Sequence, residues 1–88
     1  MDPSKQIQVM VKYVGNPDWN HKFPPETLVA AVKLEAMTEG FHLEASAAPN
    51  YALQIDGADV AEDKPLSVFG KENVKFELVL KKEPHKGV

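Results

Sequence analysis

The side chains best suited to chemistry are few and scattered. Cysteine is absent, which excludes thiol nucleophiles, disulfides, thiolate–zinc sites and cysteine redox chemistry. The three histidines, His21, His42 and His85, fall on an expected strand, a connection and the C-terminal tail, and no two have the short spacing that presents paired ligands to zinc. Asp56, Asp59, Glu62 and Asp63 crowd one stretch but fail the alternating oxygen-donor pattern of a calcium loop, so they read as a solvated acidic face. No nucleophile, base and orienting acid can be assembled from neighbouring residues, and no glycine-rich phosphate loop is present. Catalysis, a cofactor and a metal are all unexpected.

The chain has 88 residues, 43% of them hydrophobic, enough for one small core and not for two. Charged residues make up 26% and the net charge is −3, with both signs interspersed. That is an ordinary hydrated surface rather than a nucleic-acid or membrane footprint. Apolar runs are far too short to span a bilayer, and the opening MDPSKQ lacks the apolar centre of a secretory signal. A cytoplasmic, monomeric protein is expected.

In QIQVMVKYV (6–14), Ile7, Val9, Val11 and Tyr13 alternate with Gln6, Gln8, Met10 and Lys12, the two-residue period of a half-buried strand. GNPDWN can reverse the chain, after which Trp19, His21 and Phe23 alternate again, predicting a hairpin. Pro24 and Pro25 suit the first turn of a helix, which is expected to begin there, run through Met37 and close at a left-handed Gly40. Leu28, Val29, Val32 and Ala36 share an arc that would lie on the sheet, with Lys33 at its edge.

HLEASAAPN connects to YALQI, a third strand with Tyr51, Leu53 and Ile55 on one side, followed by an Asp56–Gly57 turn and a short strand over 58–61. EDKPLSVFGKEN reads as a loop whose Leu66, Val68 and Phe69 must dock. VKFELVL then alternates once more, with Val74, Phe76, Leu78 and Leu80 inward. A two-stranded ribbon cannot hold a helix alone, so the last strand is expected beside the first. The fold class is α+β, a β-grasp with a mixed four- to five-stranded sheet on one helix. It divides into a disordered N-terminus (1–5), a folded domain (6–80) and a flexible tail (81–88).

These residues resemble the ubiquitin-like family from Gln8 onward. QVMVK resembles the family's first strand and VAAVKLEAM its helix. The stretch LQIDGADVAEDKPLSVFG is similar to its strand, glycine turn, short strand, acidic pair and leucine-serine step, and FELVLKK to its last strand and basic exit. The resemblance implies that Lys33 pairs with an acid before the leucine-serine step, here Glu62 or Asp63. The alternative is that Lys33 extends to water along its own apolar stem. The family's apolar recognition patch is largely missing: Gln54 stands where isoleucine is usual and Val79 alone keeps its character. Met10 and Val79 could form a smaller patch, or be ordinary surface.

Conjugated members of the family end in two glycines, whereas KKEPHKGV offers Gly87 followed by Val88. The resemblance implies a modifier whose tail, with Pro84, His85, Lys86, Gly87 and Val88 as its arm and end, is adenylated by an E1-like activating enzyme. The end is then passed through an E2-like conjugating enzyme to a target. A JAB-type peptidase would remove Val88, or valine would be accepted directly. Lys81 and Lys82 would steer the tail to an acidic partner. The sequence most resembles the diverged modifiers of bacterial ubiquitin-like systems. Two other readings stay open: a non-conjugated β-grasp binding module that uses its sheet, and a sulfur carrier.

Overall fold

A computed structural model describes residues 6–81. Five strands form one sheet in the order β2-β1-β5-β3-β4. They are β1 (Ile7–Lys12), β2 (Trp19–Phe23), β3 (Tyr51–Ile55), β4 (Ala58–Asp59) and β5 (Asn73–Leu80), and the helix α1 spans Val29–Glu35. The last strand lies parallel to the first and antiparallel to β3. It therefore takes the centre of a mixed sheet, the β-grasp arrangement.

The strand pattern follows from side-chain alternation. Val9 and Val11 of β1 and Val74, Phe76 and Leu78 of β5 are buried, and in register Val9 meets Val74 and Val11 meets Phe76. Val29, Val32, Ala36 and Met37 meet this floor from the helix side, with Leu53, Leu66 and Phe41 filling the flanks. Burying a large aliphatic or aromatic side chain contributes about 1.5–3 kcal/mol, so this interleaved set dominates the stability of the fold.

The helix departs from expectation at both ends. Pro24 to Thr27 form a turn, Leu28 stays extended and bridges Pro65, and α1 starts only at Val29. The cause is tertiary: the Pro25 and Thr27 carbonyls accept from Ser67 and Leu66, so the expected first helical turn is spent on pairing with another segment. Leu28 is 45% exposed and does not join the sheet-facing arc, whereas Lys33 and Met37 do. Gly40 does not take the left-handed conformation, which falls instead on His42 at φ 57°. A π-type turn over Ala36–Gly40 ends the helix, and glycine at 40 serves a close approach. A Cβ there would sit 2.6 Å from Cγ of Trp19.

The connections are more ordered than their composition suggests. Short 3₁₀ turns span Ala45–Asn50 and Leu66–Phe69. Leu66 is fully buried and Phe69 packs edge-on against Phe76, but Val68 is exposed. The fourth strand is shorter than expected. Leu80, expected inward, is 62% exposed at the last position of β5.

Candidate functional site

Two surfaces carry the candidate residues: the outward face of the sheet and the root of the tail. On the outward face Gln8, Met10 and Lys12 from β1 stand in register with Asn73, Lys75 and Glu77 from β5. Further along, Val79 opposes Ala52 and Glu77 opposes Gln54. Met10 therefore neighbours Lys75, four residues from Val79, a separation of about 13 Å along the strand. The Lys12–Glu77 rung lies between them, so Met10 and Val79 do not form one patch. The register needed to see this joins β1 to β5 and cannot be read from either strand alone.

The face is polar where it is most exposed. Gln54 donates from its amide to Asp59 Oδ1 at 2.7 Å, tying β3 to β4. Lys12 reaches Asp18 at 3.9 Å with both side chains largely exposed, a contact of at most a few tenths of a kcal/mol. Val79 is half-buried against a buried Ala52. This strip offers too little apolar area for a docking patch of the size that marks interfaces.

The root of the tail is held more firmly. The Lys81 N–H donates to the Asn50 carbonyl at 2.7 Å, one step beyond the pair of Leu80 with Tyr51. Directly beneath, Lys33 is 3% exposed. Its ammonium donates to the carbonyls of Ala48 (2.8 Å) and Tyr51 (2.9 Å) and to Glu62 Oε2. All three donors of the buried charge are thus used, which is what a lysine removed from water requires. Glu62 is the acid brought to it; Asp63 is exposed. One side chain joins α1, the turn before β3 and the loop after β4, so the strand beside the tail root is anchored from below.

Tyr13 and Tyr51 share a hydrogen bond at 3.2 Å, and Tyr13 packs on Phe41 with ring centroids 5.2 Å apart. That hydrogen bond, burial and the neighbouring phenol all raise the Tyr13 phenol above its ordinary value of 10.0. Sequence reasoning missed this pair; the signal available was a tyrosine at the end of each of two inward-facing strand patterns. Lys82, Pro84, His85, Lys86, Gly87 and Val88 lie outside the described residues. Among the described residues no group of three or more His, Cys, Asp or Glu could hold a metal ion. No helix among them is long and apolar enough to cross a membrane.

The parallel pairing of the first and last strands within a mixed sheet and a helix across one face define a ubiquitin-like protein. The sequence matches the family model "BilA ubiquitin-like domain 2" over residues 8–81. The chain belongs to that family, a bacterial ubiquitin-like system. No curated protein matches the sequence.

Among solved structures it is similar to the ubiquitin of Caldiarchaeum subterraneum, with a TM-score of 0.70 and 16% identity over 91% of this chain and 99% of that one. It is also similar to the UBL domain of Plasmodium falciparum Dsk2, with a TM-score of 0.69 and 16% identity over 86% of this chain and 99% of that one. A structure described as molecular mimicry of SUMO promoting DNA repair matches with a TM-score of 0.65 and 16% identity, over 86% and 92%. At this identity the likeness is one of fold.

Proposed function

We propose that this protein is a ubiquitin-like modifier, activated at its C-terminal tail by an E1-like enzyme and conjugated to a target through an E2-like enzyme. A JAB-type peptidase would trim Val88 to expose Gly87. The observation that carries the reading is the way β5 delivers the chain to the surface. The strand runs between β1 and β3, and the Lys81 N–H, at the end of the described residues, is held by the Asn50 carbonyl. Whatever follows Lys81 starts from a rigid, solvent-facing position set by the most deeply embedded strand. An activating enzyme needs such geometry, because it must hold the folded body and thread the terminus separately; a terminus without a side chain threads most easily. Membership of the BilA ubiquitin-like family supports the same reading. The chain itself supplies no catalytic group in this scheme; the chemistry belongs to its enzymes.

The test is a charging reaction with the cognate activating enzyme and ATP. A thioester is expected from the intact chain or from a chain ending at Gly87, and Gly87→Phe should abolish it. Charging from neither of these ends overturns the proposal and leaves a binding module, consistent with a β-grasp body that works through its surface alone. Lys81→Gln with Lys82→Gln should slow charging at low salt while the fold stays intact, since exposed charges affect encounter rates more than affinity.

A further inference from the structure

The lower part of β5 is open on one side. The bond from the Gln8 N–H to the Glu72 carbonyl, 2.8 Å, sets the phase of the parallel ladder with β1. Alternate residues of a strand direct their backbone groups to opposite neighbours. Val74, Phe76 and Leu78 therefore serve β1, and Asn73, Lys75, Glu77 and Val79 serve the β3 side. The Lys81–Asn50 bond keeps the same phase at the other end. Continued downward, the β3 register of Gln54 with Glu77 would pair Asp56 with Lys75. Asp56 instead enters the left-handed region, φ 55°, and with Gly57 at φ 82° turns the chain into β4. Thus β3 leaves two rungs before β5 begins, and the N–H and C=O groups of Asn73 and Lys75 face a groove in place of a strand.

That groove encloses about 410 Å³, within the range of roughly 300–1,000 Å³ typical of ligand sites. The half-buried Ile55 and Phe69 provide the apolar lining, while Val74 and Phe76, whose side chains are buried in the core, border the groove. Lys12, Lys71 and Lys75 stand around it, against Asp56 and Glu77. Lys12 also lies 3.9 Å from Asp18, so Lys71 and Lys75 are the two lysines that stand beside the open edge at the start of β5.

We propose that this groove binds a short, extended, acidic segment of a partner protein, which adds to β5 as a partial strand. The open edge presents a donor and an acceptor at strand spacing, and a peptide backbone supplies the matching acceptor and donor. One apolar side chain of the segment lies on the lining, and its flanking carboxylates reach Lys71 and Lys75. Lys81 does not line the groove, and binding there does not depend on conjugation.

The experiment uses the full chain, labelled with ¹⁵N, titrated with a capped hexapeptide of alternating glutamate and leucine. Amide shifts centred on Asn73, Lys75 and Asp56 are expected, and affinity should fall at least tenfold in K71E/K75E, whose altered side chains are both exposed and leave the fold intact. N-methylation of the peptide's central amides should abolish binding while leaving its charge and leucines unchanged. Four results would overturn the proposal: no shifts at millimolar peptide, shifts centred elsewhere, equal binding of the lysine–leucine counterpart, or equal binding of the N-methylated peptide. Acetate or free glutamate reproducing the shifts with the same affinity would show a small-carboxylate site and overturn it too. Concentration-dependent shifts without peptide would assign the groove to a second copy, with the same consequence.

Discussion

The two halves of β5 face different surroundings. From Glu77 to Lys81 the strand has β1 or β3 beside it at each step and the Lys33 anchor beneath its partner. From Asn73 to Lys75 it has β1 alone, with the groove on its other flank. Side-chain burial does not distinguish them: Val74 is 3% exposed and Leu78 2%. The difference lies in the backbone, and it separates a rigid root for the tail from an edge still able to pair. A single strand thus provides a fixed point at one end and a recognition edge at the other.

The largest effect is expected where the halves meet. Phe76 is 2% exposed and packs edge-on against Phe69 at 5.7 Å, joining the sheet to the 3₁₀ turn that walls the groove. Phe76→Ala should cost about 3–5 kcal/mol in chemical denaturation, from lost transfer energy and the cavity left behind. A cost below about 1 kcal/mol would mean that the lower half collapses freely, and the contrast of a firm and an open half would lose its basis.

Lys33→Met tests the upper half. The substitution keeps most of the volume but leaves the Ala48 and Tyr51 carbonyls and Glu62 without their donor. Each unsatisfied buried acceptor costs about 1–3 kcal/mol. Glu62 is 40% exposed and can rehydrate, so the total should be about 2–3 kcal/mol rather than the sum. A neutral substitution would show that water replaces the ammonium and that the strand beside the tail root is not anchored.

Much of the architecture was legible because one face of each long strand is buried. Alternation in 6–14, 51–55 and 74–80 gave the strands, and the need to cover a ribbon with one helix gave the central place of the last one. The Lys33 pairing was narrowed to Glu62 or Asp63 by resemblance, and only three-dimensional packing selects Glu62. Less was legible where residues far apart in sequence compete for the same backbone. Pro25 and Thr27 look like a helix start until Leu66 and Ser67 donate to their carbonyls. Gly40 looks like a left-handed cap until Trp19 is found where its Cβ would lie. The open edge of β5 was invisible for the same reason, since it depends on where β3 turns away relative to where β5 begins.

Amide hydrogen exchange compares the halves without any substitution. The Val79 and Lys81 amides should exchange only on extensive opening, since Val79 lies in the β3 ladder and Lys81 bonds Asn50. The Lys75 amide, facing the groove, should exchange at least tenfold faster than that of Val79. The Phe76 amide, directed to β1, serves as an internal control and should be slow. Equal protection at Lys75 and Val79 would show that the lower edge is covered in the free protein.

The smallest effect is expected from pH, at the upper end, where Tyr51 pairs with Leu80 and its phenol bonds Tyr13. The hydrogen bond and burial favour the neutral Tyr13 phenol, so its value in the folded chain lies above that in the unfolded chain. The associated stability is fully present below the ordinary tyrosine value of 10.0 and is lost as pH rises through the raised folded value. Melting temperature should therefore fall more steeply above pH 10 in the native chain than in Tyr13→Phe. The two slopes should agree below pH 9, and the effect should leave the Lys75 exchange rate, corrected for its intrinsic pH dependence, unchanged. Parallel melting curves across the alkaline range would show that the phenol pair does not couple to folding, and the upper half would then rest on Lys33 and the β3 ladder.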